Sequence, residues 1–182
     1  VEMAKEIITA QGDKFLKLPE AEGVAAIGVM GLKRVIELIK TELAQLGVVY
    51  DLWFSEQSLY QDGQYKKVLD ILRRGGHLAE KEGATWFVSS APGEDKDNVV
   101  IRSDGTPTYF AADIAYHYNK FVERGFKKVI NIWGADHQGH VSRLKAVVGA
   151  MGIDPSRLQI IIHQMVTLKR GGELVRVSKR SG

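Results

Sequence analysis

Tyr109 and Asp113 stand four residues apart in the string Tyr109-Phe110-Ala111-Ala112-Asp113. On a helix that spacing puts both side chains on one face, about 6 Å apart along the axis. The pair suits a cation. A carboxylate can take a guanidinium through two parallel hydrogen bonds, and a phenol can offer its ring face or its hydroxyl. The same two residues also suit an ordinary helix start, with the carboxylate favoured by the helix dipole and the ring turned to the core. Spacing alone leaves both readings open.

A second group is Trp133-Gly134-Ala135-Asp136-His137-Gln138-Gly139-His140, placed where an apolar strand pattern gives way to a helical one. Ligands of open α/β sheets bind beyond the carboxyl ends of strands, and helix N-termini favour anions. Asp136 is suited to a ribose hydroxyl or a cationic substrate, the histidines to phosphate, and the glycines to close approach of a ligand to the backbone. The alternative is a capping aspartate beside surface histidines. His137 and His140 lack the wider cluster that a closed metal site needs, so no metal is expected. A third group, Arg176-Val177-Ser178-Lys179-Arg180-Ser181-Gly182, has the composition of a loop that folds over a triphosphate and neutralises departing pyrophosphate, or of a basic surface turn. His163 ends a strand pattern and suits either a pocket wall or a satisfied buried position, whereas His77 and His117 read as structural or surface groups. Gly28-Val29-Met30-Gly31 follows no strand and is no dinucleotide fingerprint, and the run holding Asp95 and Asp97 reads as solvated.

The elements that must position these groups follow from periodicity. Residues 2–10 read as a short helix. Apolar residues at threes and fours over 21–46 predict one long amphipathic helix, or two broken near Gly28-Val29-Met30-Gly31, with Gly47 as the stop. The β-branched and aromatic stretch 48–54 predicts a strand, residues 64–74 a helix closed by Gly75-Gly76, and two short strands lie around 77–80 and 85–89. Gly93-Glu94-Asp95-Lys96-Asp97-Asn98 is a loop and 99–102 a strand. Thr108 caps a helix running to Arg124. Residues 127–133 and 158–163 predict buried strands of a parallel sheet, with a helix over about 138–151 between them. Lys169-Arg170-Gly171-Gly172-Glu173 predicts a hairpin turn.

Helix, strand, helix, strand after Thr108 is the order of an α/β crossover fold, whereas the texture of residues 1–100 suggests an inserted or appended α+β region. The chain has 182 residues, 45% hydrophobic and 26% charged, a composition that excludes disordered, collagenous and coiled-coil classes. No apolar run is long enough to span a bilayer. Cysteine is absent, which excludes disulfides and thiolate zinc sites and fits a cytoplasmic location. A net charge of +3 is too mild to mark a nucleic-acid binder by itself. The chain opens on Val1 and closes in the basic string Ser178-Lys179-Arg180-Ser181-Gly182, so it reads as a piece of a longer protein.

The order of these groups carries a resemblance. Thr106-Pro107-Thr108-Tyr109-Phe110-Ala111-Ala112-Asp113-Ile114-Ala115-Tyr116, then Ile130-Asn131-Ile132-Trp133-Gly134-Ala135-Asp136-His137, then His163-Gln164-Met165-Val166, then Val177-Ser178-Lys179-Arg180-Ser181-Gly182 resembles the second half of the catalytic domain of arginyl-tRNA synthetases, which belong to class I. Leu52-Trp53-Phe54-Ser55-Glu56-Gln57-Ser58-Leu59-Tyr60 is similar to the segment that precedes it in bacterial members. The resemblance implies an α/β fold: the second half of a Rossmann-like parallel sheet at 101–182, ending in the KMSKS-like loop, with residues 1–100 as an inserted or connective α+β region. It implies that Tyr109 and Asp113 hold the arginine side chain, with Asp136 and Gln164 beside the amino acid. Gly134, Asp136 and His137 would line the floor shared with the ATP ribose, and the backbone of Met165 and Val166 would read adenine. Ser178, Lys179 and Arg180 would hold the ATP phosphates, Ser178 and Lys179 acting in catalysis. Substrates and partners implied are L-arginine, ATP with Mg2+ and tRNA(Arg), in a monomeric parent whose activation step depends on bound tRNA.

Two departures accompany this likeness. Arg176 stands where the loop motif has its first lysine. His137-Gln138-Gly139-His140 matches the class signature H-x-G-H in letters but lies after the Y-x-x-x-D helix, where the family has a later G-x-D element. The first strand, the true signature and the anticodon-binding domain are not in the sequence, so the isolated chain is expected to be inactive. Two other readings stay open: a small nucleotidylyltransferase using His137 and His140, and a non-catalytic tRNA-binding module.

Overall fold

A computed structural model describes residues 2–88, 98–164 and 166–175. The chain divides into two compact units, Val1–Phe54 and Ser55–Gly182. In the first, α1 (Glu2–Gln11) and a 3-10 turn (Lys14–Lys17) precede α2 (Glu20–Gln45), one continuous helix that Gly28 and Gly31 do not break. Its end is set by backbone geometry. Gly47 N–H donates to the Ala44 carbonyl at 3.0 Å and Val48 N–H to the Leu43 carbonyl at 2.9 Å, a Schellman closure that needs the left-handed φ of +72° at Gly47. Residues 48–54, expected as a strand, form none. Branched and aromatic side chains favour a strand only beside another strand edge. Here Tyr50 and Trp53 instead pack edge to face, their ring centres 5.6 Å apart, with the Lys40 ammonium over Trp53.

The second unit opens with α3 (Glu56–Gln61), which periodicity did not predict, and α4 (Gln64–Arg74). An antiparallel sheet follows, ordered β1 (Leu78–Lys81), β2 (Ala84–Phe87), β3 (Val99–Ile101), so that one sheet runs across residue 100. The loop expected at 93–98 lies outside the described residues except for Asn98. Next come α5 (Tyr109–Tyr118), β4 (Val129–Gly134), α6 (Val141–Ala150) and β5 (Leu158–His163). The last element is the expected hairpin, β6 (Leu168–Arg170) with β7 (Glu173–Val175). Leu59, Val68, Leu72, Val100 and Ile114 are fully buried and hold α3, α4, β3 and α5 around one core. Phe87 and Phe110 join sheet to helix, with ring centres 6.1 Å apart.

β4 and β5 pair in parallel from Val129↔Leu158 to Gly134↔His163, with α6 between them in sequence, which is the expected α/β unit. Two expectations within it change. The strands are packed on one face: Val129 and Asn131 are buried, while Ile130 and Ile132 are 53% and 69% exposed. Side chains alternate along a strand, so a run of apolar letters is divided between two faces, and the inward position here is an asparagine. The helix expected to reach Arg124 turns into a π-helix at Asn119–Glu123, where Arg124 N–H reaches the Asn119 carbonyl at 2.8 Å. Likewise the helix expected from about Gln138 opens as a 3-10 turn at Ala135–His140.

Thr108 starts α5 as expected. Its Oγ1 accepts from Ala111 N–H at 3.4 Å and donates to the Val99 carbonyl at 2.7 Å, tying the helix to β3. Thr108→Val keeps the shape and loses both bonds. It lowers the unfolding free energy by about 1 kcal/mol, read from urea unfolding at constant m.

Candidate functional site at the start of α5 and the carboxyl ends of β4 and β5

The start of α5 is fixed from behind by a polar turn. Asp104 Oδ1 accepts from Thr106 N–H at 2.8 Å and from Thr106 Oγ1 at 2.6 Å, bonds that hold the Asp104 carboxyl below the usual range. Arg102 donates to Thr106 Oγ1 at 3.2 Å and to the Pro107 carbonyl at 2.8 Å. These bonds and the Thr108 cap leave little freedom at Tyr109. The Tyr109 side chain stands 84% exposed at the first turn, and Asp113 follows one turn on, at the rim of the same helix.

α3 brings a second acid to this place. Glu56, Tyr60, Arg102, Pro107, Thr108 and Tyr109 line a cavity of about 240 Å³. Burial and the Glu56 carboxylate push the Asp113 carboxyl up, whereas Lys120, Arg143 and His140 pull it down. A carboxylate pushed up by a neighbouring acid is relieved by an added cation, and a planar guanidinium offers donors to more than one acceptor. Burial and Glu56 also raise the Tyr60 phenol, which keeps its proton and remains a donor. Sequence reasoning assigned Glu56 and Tyr60 no role. The signal was there: Glu56-x-x-x-Tyr60 repeats at helical spacing the acid-tyrosine pairing of Tyr109-x-x-x-Asp113.

The other expected residues gather at the carboxyl edge of the parallel pair. The register Gly134↔His163 ends both strands level, so the turn that carries Asp136 and His137 and the segment that carries Gln164 and Val166 leave from adjacent points. Asp136, His137, Gln164 and Val166 are all exposed there. His137 Nε2 lies 3.6 Å from Asp136 Oδ2, and its ring is 5.9 Å from Trp133 and 5.8 Å from His140, centre to centre. His140 is turned away toward protein: its Nδ1 accepts from Arg143 at 2.7 Å, and the Arg143 guanidinium lies 4.3 Å over Phe110. The charges of Arg143 and His140 act on Asp113, which ties this edge electrostatically to α5. Met165, Ser178, Lys179 and Arg180 lie outside the described residues. Among the described residues no three His, Asp or Glu side chains come together as metal ligands.

Comparison with known proteins decides the family. The family "tRNA synthetases class I (R), catalytic domain" matches residues 4–182. The chain belongs to that family. Among curated arginine–tRNA ligases, that of Dehalococcoides mccartyi strain BAV1 is 58% identical over all 182 residues, which is 33% of its own length. The ligase of Carboxydothermus hydrogenoformans is 52% identical over the same 182 residues, 32% of its length. The chain therefore spans about a third of the curated relatives it matches. A crystal structure titled as an arginyl-tRNA synthetase from Campylobacter jejuni superimposes over 99% of this chain and 39% of that one, with TM-score 0.84 and 38% identity. The Thermus thermophilus arginyl-tRNA synthetase shares the fold, with TM-score 0.65 at 19% identity over 83% of this chain and 34% of that chain. The His137-Gln138-Gly139-His140 string lies in the 3-10 turn after β4, with His140 bonded to Arg143.

Proposed function

We propose that this chain is the middle part of an arginine–tRNA ligase, and that the acidic cleft between α3 and α5 receives the arginine side chain. The observation that carries the reading is the cavity that Glu56 and Tyr60 of α3 line together with Tyr109 of α5, with the Glu56 charge acting on Asp113 one turn further along α5. Asp113 takes the guanidinium, Glu56 shares its charge, and the tyrosines bound it sideways. A lysine ammonium would satisfy the charge but not two acceptors in one plane.

Residues 101–182 form the C-terminal half of the nucleotide-binding fold in this reading, and the preceding residues supply the connective part and α3. Gly134, Asp136 and His137 lie under the amino acid and the ATP ribose, Gln164 borders the amino acid, and the backbone of Met165 and Val166 meets adenine. In activation the arginine carboxylate oxygen attacks the α-phosphorus of Mg-ATP. The P–O bond to the β-phosphate breaks, giving arginyl-adenylate and pyrophosphate, and arginine then passes to the terminal ribose of tRNA(Arg). Ser178, Lys179 and Arg180 are the groups that meet charge developing on pyrophosphate.

The test is amino-acid-dependent ATP–pyrophosphate exchange by the full-length gene product, across the standard amino acids, with and without tRNA. Exchange with arginine alone, in the presence of tRNA, is the expected result. Exchange with another amino acid assigns the cleft to a different side chain, and exchange with none overturns the reading.

A further inference from the structure

Beneath the α5 cleft runs a chain of polar side chains that substrate binding does not use. His117, 2% exposed, places Nδ1 2.7 Å from the Asp113 carbonyl, so Nδ1 carries the proton and donates. Its Nε2 must then accept, and Asn131 Nδ2 lies 2.8 Å away to donate. Asn131, 7% exposed at an inward position of β4, offers its Oδ1 to the Lys120 ammonium at 3.3 Å. The donors all point one way, from Lys120 through Asn131 and His117 to Asp113. Turning the Asn131 amide around would set its NH2 against the ammonium and its oxygen against a bare ring nitrogen, so the direction is fixed.

Lys120 reaches this position because α5 does not end as an α-helix. The π-turn at Asn119–Glu123 widens the backbone at Lys120 and brings its ammonium inward, 4.0 Å over the Tyr116 ring. Single π-turns are costly and recur where a side chain must be re-aimed for function. Among the described residues the charge has no close ion pair: its polar contact is an amide oxygen and its cation–π contact is Tyr116. A half-buried ammonium is costly unless a negative charge answers it. The acid within its field is Asp113, and Arg124 is the opposing cation.

We infer that Lys120 is a positioning residue for arginine recognition: a resident counter-cation, held by Asn131 and Tyr116, that keeps the Asp113 carboxyl ionised beside Glu56 and ready for a guanidinium. The groups facing Asp113 oppose one another: Glu56 on α3 favours its protonation, while Lys120, Arg143 and His140 favour its charge. The cost appears on the lysine, which burial pulls down to about 8. His117 serves the same end from the other side, fixing the backbone of Asp113.

The inference rests on Asp113 as the guanidinium acceptor, and the experiment separates the two. In the full-length gene product, kcat/KM for arginine and KM for ATP are followed from pH 5 to pH 9 in wild type, D113N, K120M, K120R and K120Q. In K120M the acid limb of the arginine profile moves up by about one pH unit, the size of effect an opposite charge has on a carboxyl. KM for ATP stays as in wild type, and K120R restores the limb. K120Q, which removes the charge and keeps an amide donor for Asn131 Oδ1, moves the limb in the same direction as K120M and guards against a misfolded K120M. An unmoved limb in K120M and K120Q, with arginine use lost in D113N, overturns the role of Lys120 and leaves the cleft intact. Equal effects on arginine and ATP make Lys120 merely structural and also overturn it. Undiminished arginine use in D113N removes the cleft reading itself.

Discussion

Asp113→Asn in the full-length gene product lowers kcat/KM for arginine about a thousandfold, roughly 4 kcal/mol of binding free energy, and leaves KM for ATP within about twofold. Asparagine keeps the shape of aspartate and one acceptor oxygen. What it loses is the charge and the second acceptor, the two properties that a planar cation uses. The amide also places NH2 groups where the guanidinium presents its own, so a favourable contact becomes a repulsive one. Glu56→Gln acts in the same direction and less strongly, because Glu56 only opens α3, whereas the charges of Lys120, Arg143 and His140 all act on Asp113 to hold it ionised. The two losses do not add, since both carboxylates act on one bound cation and the Glu56 charge acts on Asp113. Arginine-dependent pyrophosphate exchange measures the effect. A variant that exchanges like wild type would move the guanidinium elsewhere.

How much of this was legible in the letters depends on what kind of rule each feature obeys. Helix α2, the pair β4 and β5, the Thr108 cap and the final hairpin follow from periodicity and capping chemistry, which act over a few residues and are visible in order. The stretch 48–54 failed because strand formation needs a partner edge that no local pattern reveals. The open faces of Ile130 and Ile132 were misread for a related reason: an apolar run says that a strand is apolar, not which of its faces is covered. Tyr109 and Asp113 were legible as a pair because one helix turn joins them. Their partner Glu56 was not, since 53 positions separate it from Tyr109 and only folding brings α3 against α5. The same holds for Asn131. As a letter it breaks an apolar strand, and its meaning appears only when His117 and Lys120 are found on either side of it.

His117 shows the difference most sharply, because the sequence gives it no special place and the fold makes it the most strongly perturbed histidine among the described residues. Burial, and then the Lys120 charge, pulls its imidazolium down to about 4 from 6.5. Protonating Nε2 would require Asn131 to turn its oxygen inward, and that oxygen already serves Lys120. The folded chain therefore takes up this proton only near pH 4, whereas the unfolded chain takes it up near 6.5. Folding is favoured in full above pH 6.5, and the advantage drains away as the pH falls from 6.5 through 4, by about 3 kcal/mol in all. Asp113 works in the opposite sense, since its raised carboxyl gains its proton earlier in the folded state and so partly offsets the loss. The contribution of His117 is thus isolated by difference. Urea unfolding of the chain and of H117Q, compared at steps from pH 7 to pH 4, should show wild type losing stability faster than the variant. The gap between them should close by about 3 kcal/mol over that interval, with the C2 proton of His117 titrating near pH 4 by NMR. Parallel stability curves, or a midpoint near 6.5, would mean that the ring is reached by water and that the chain from Lys120 to Asp113 is not closed.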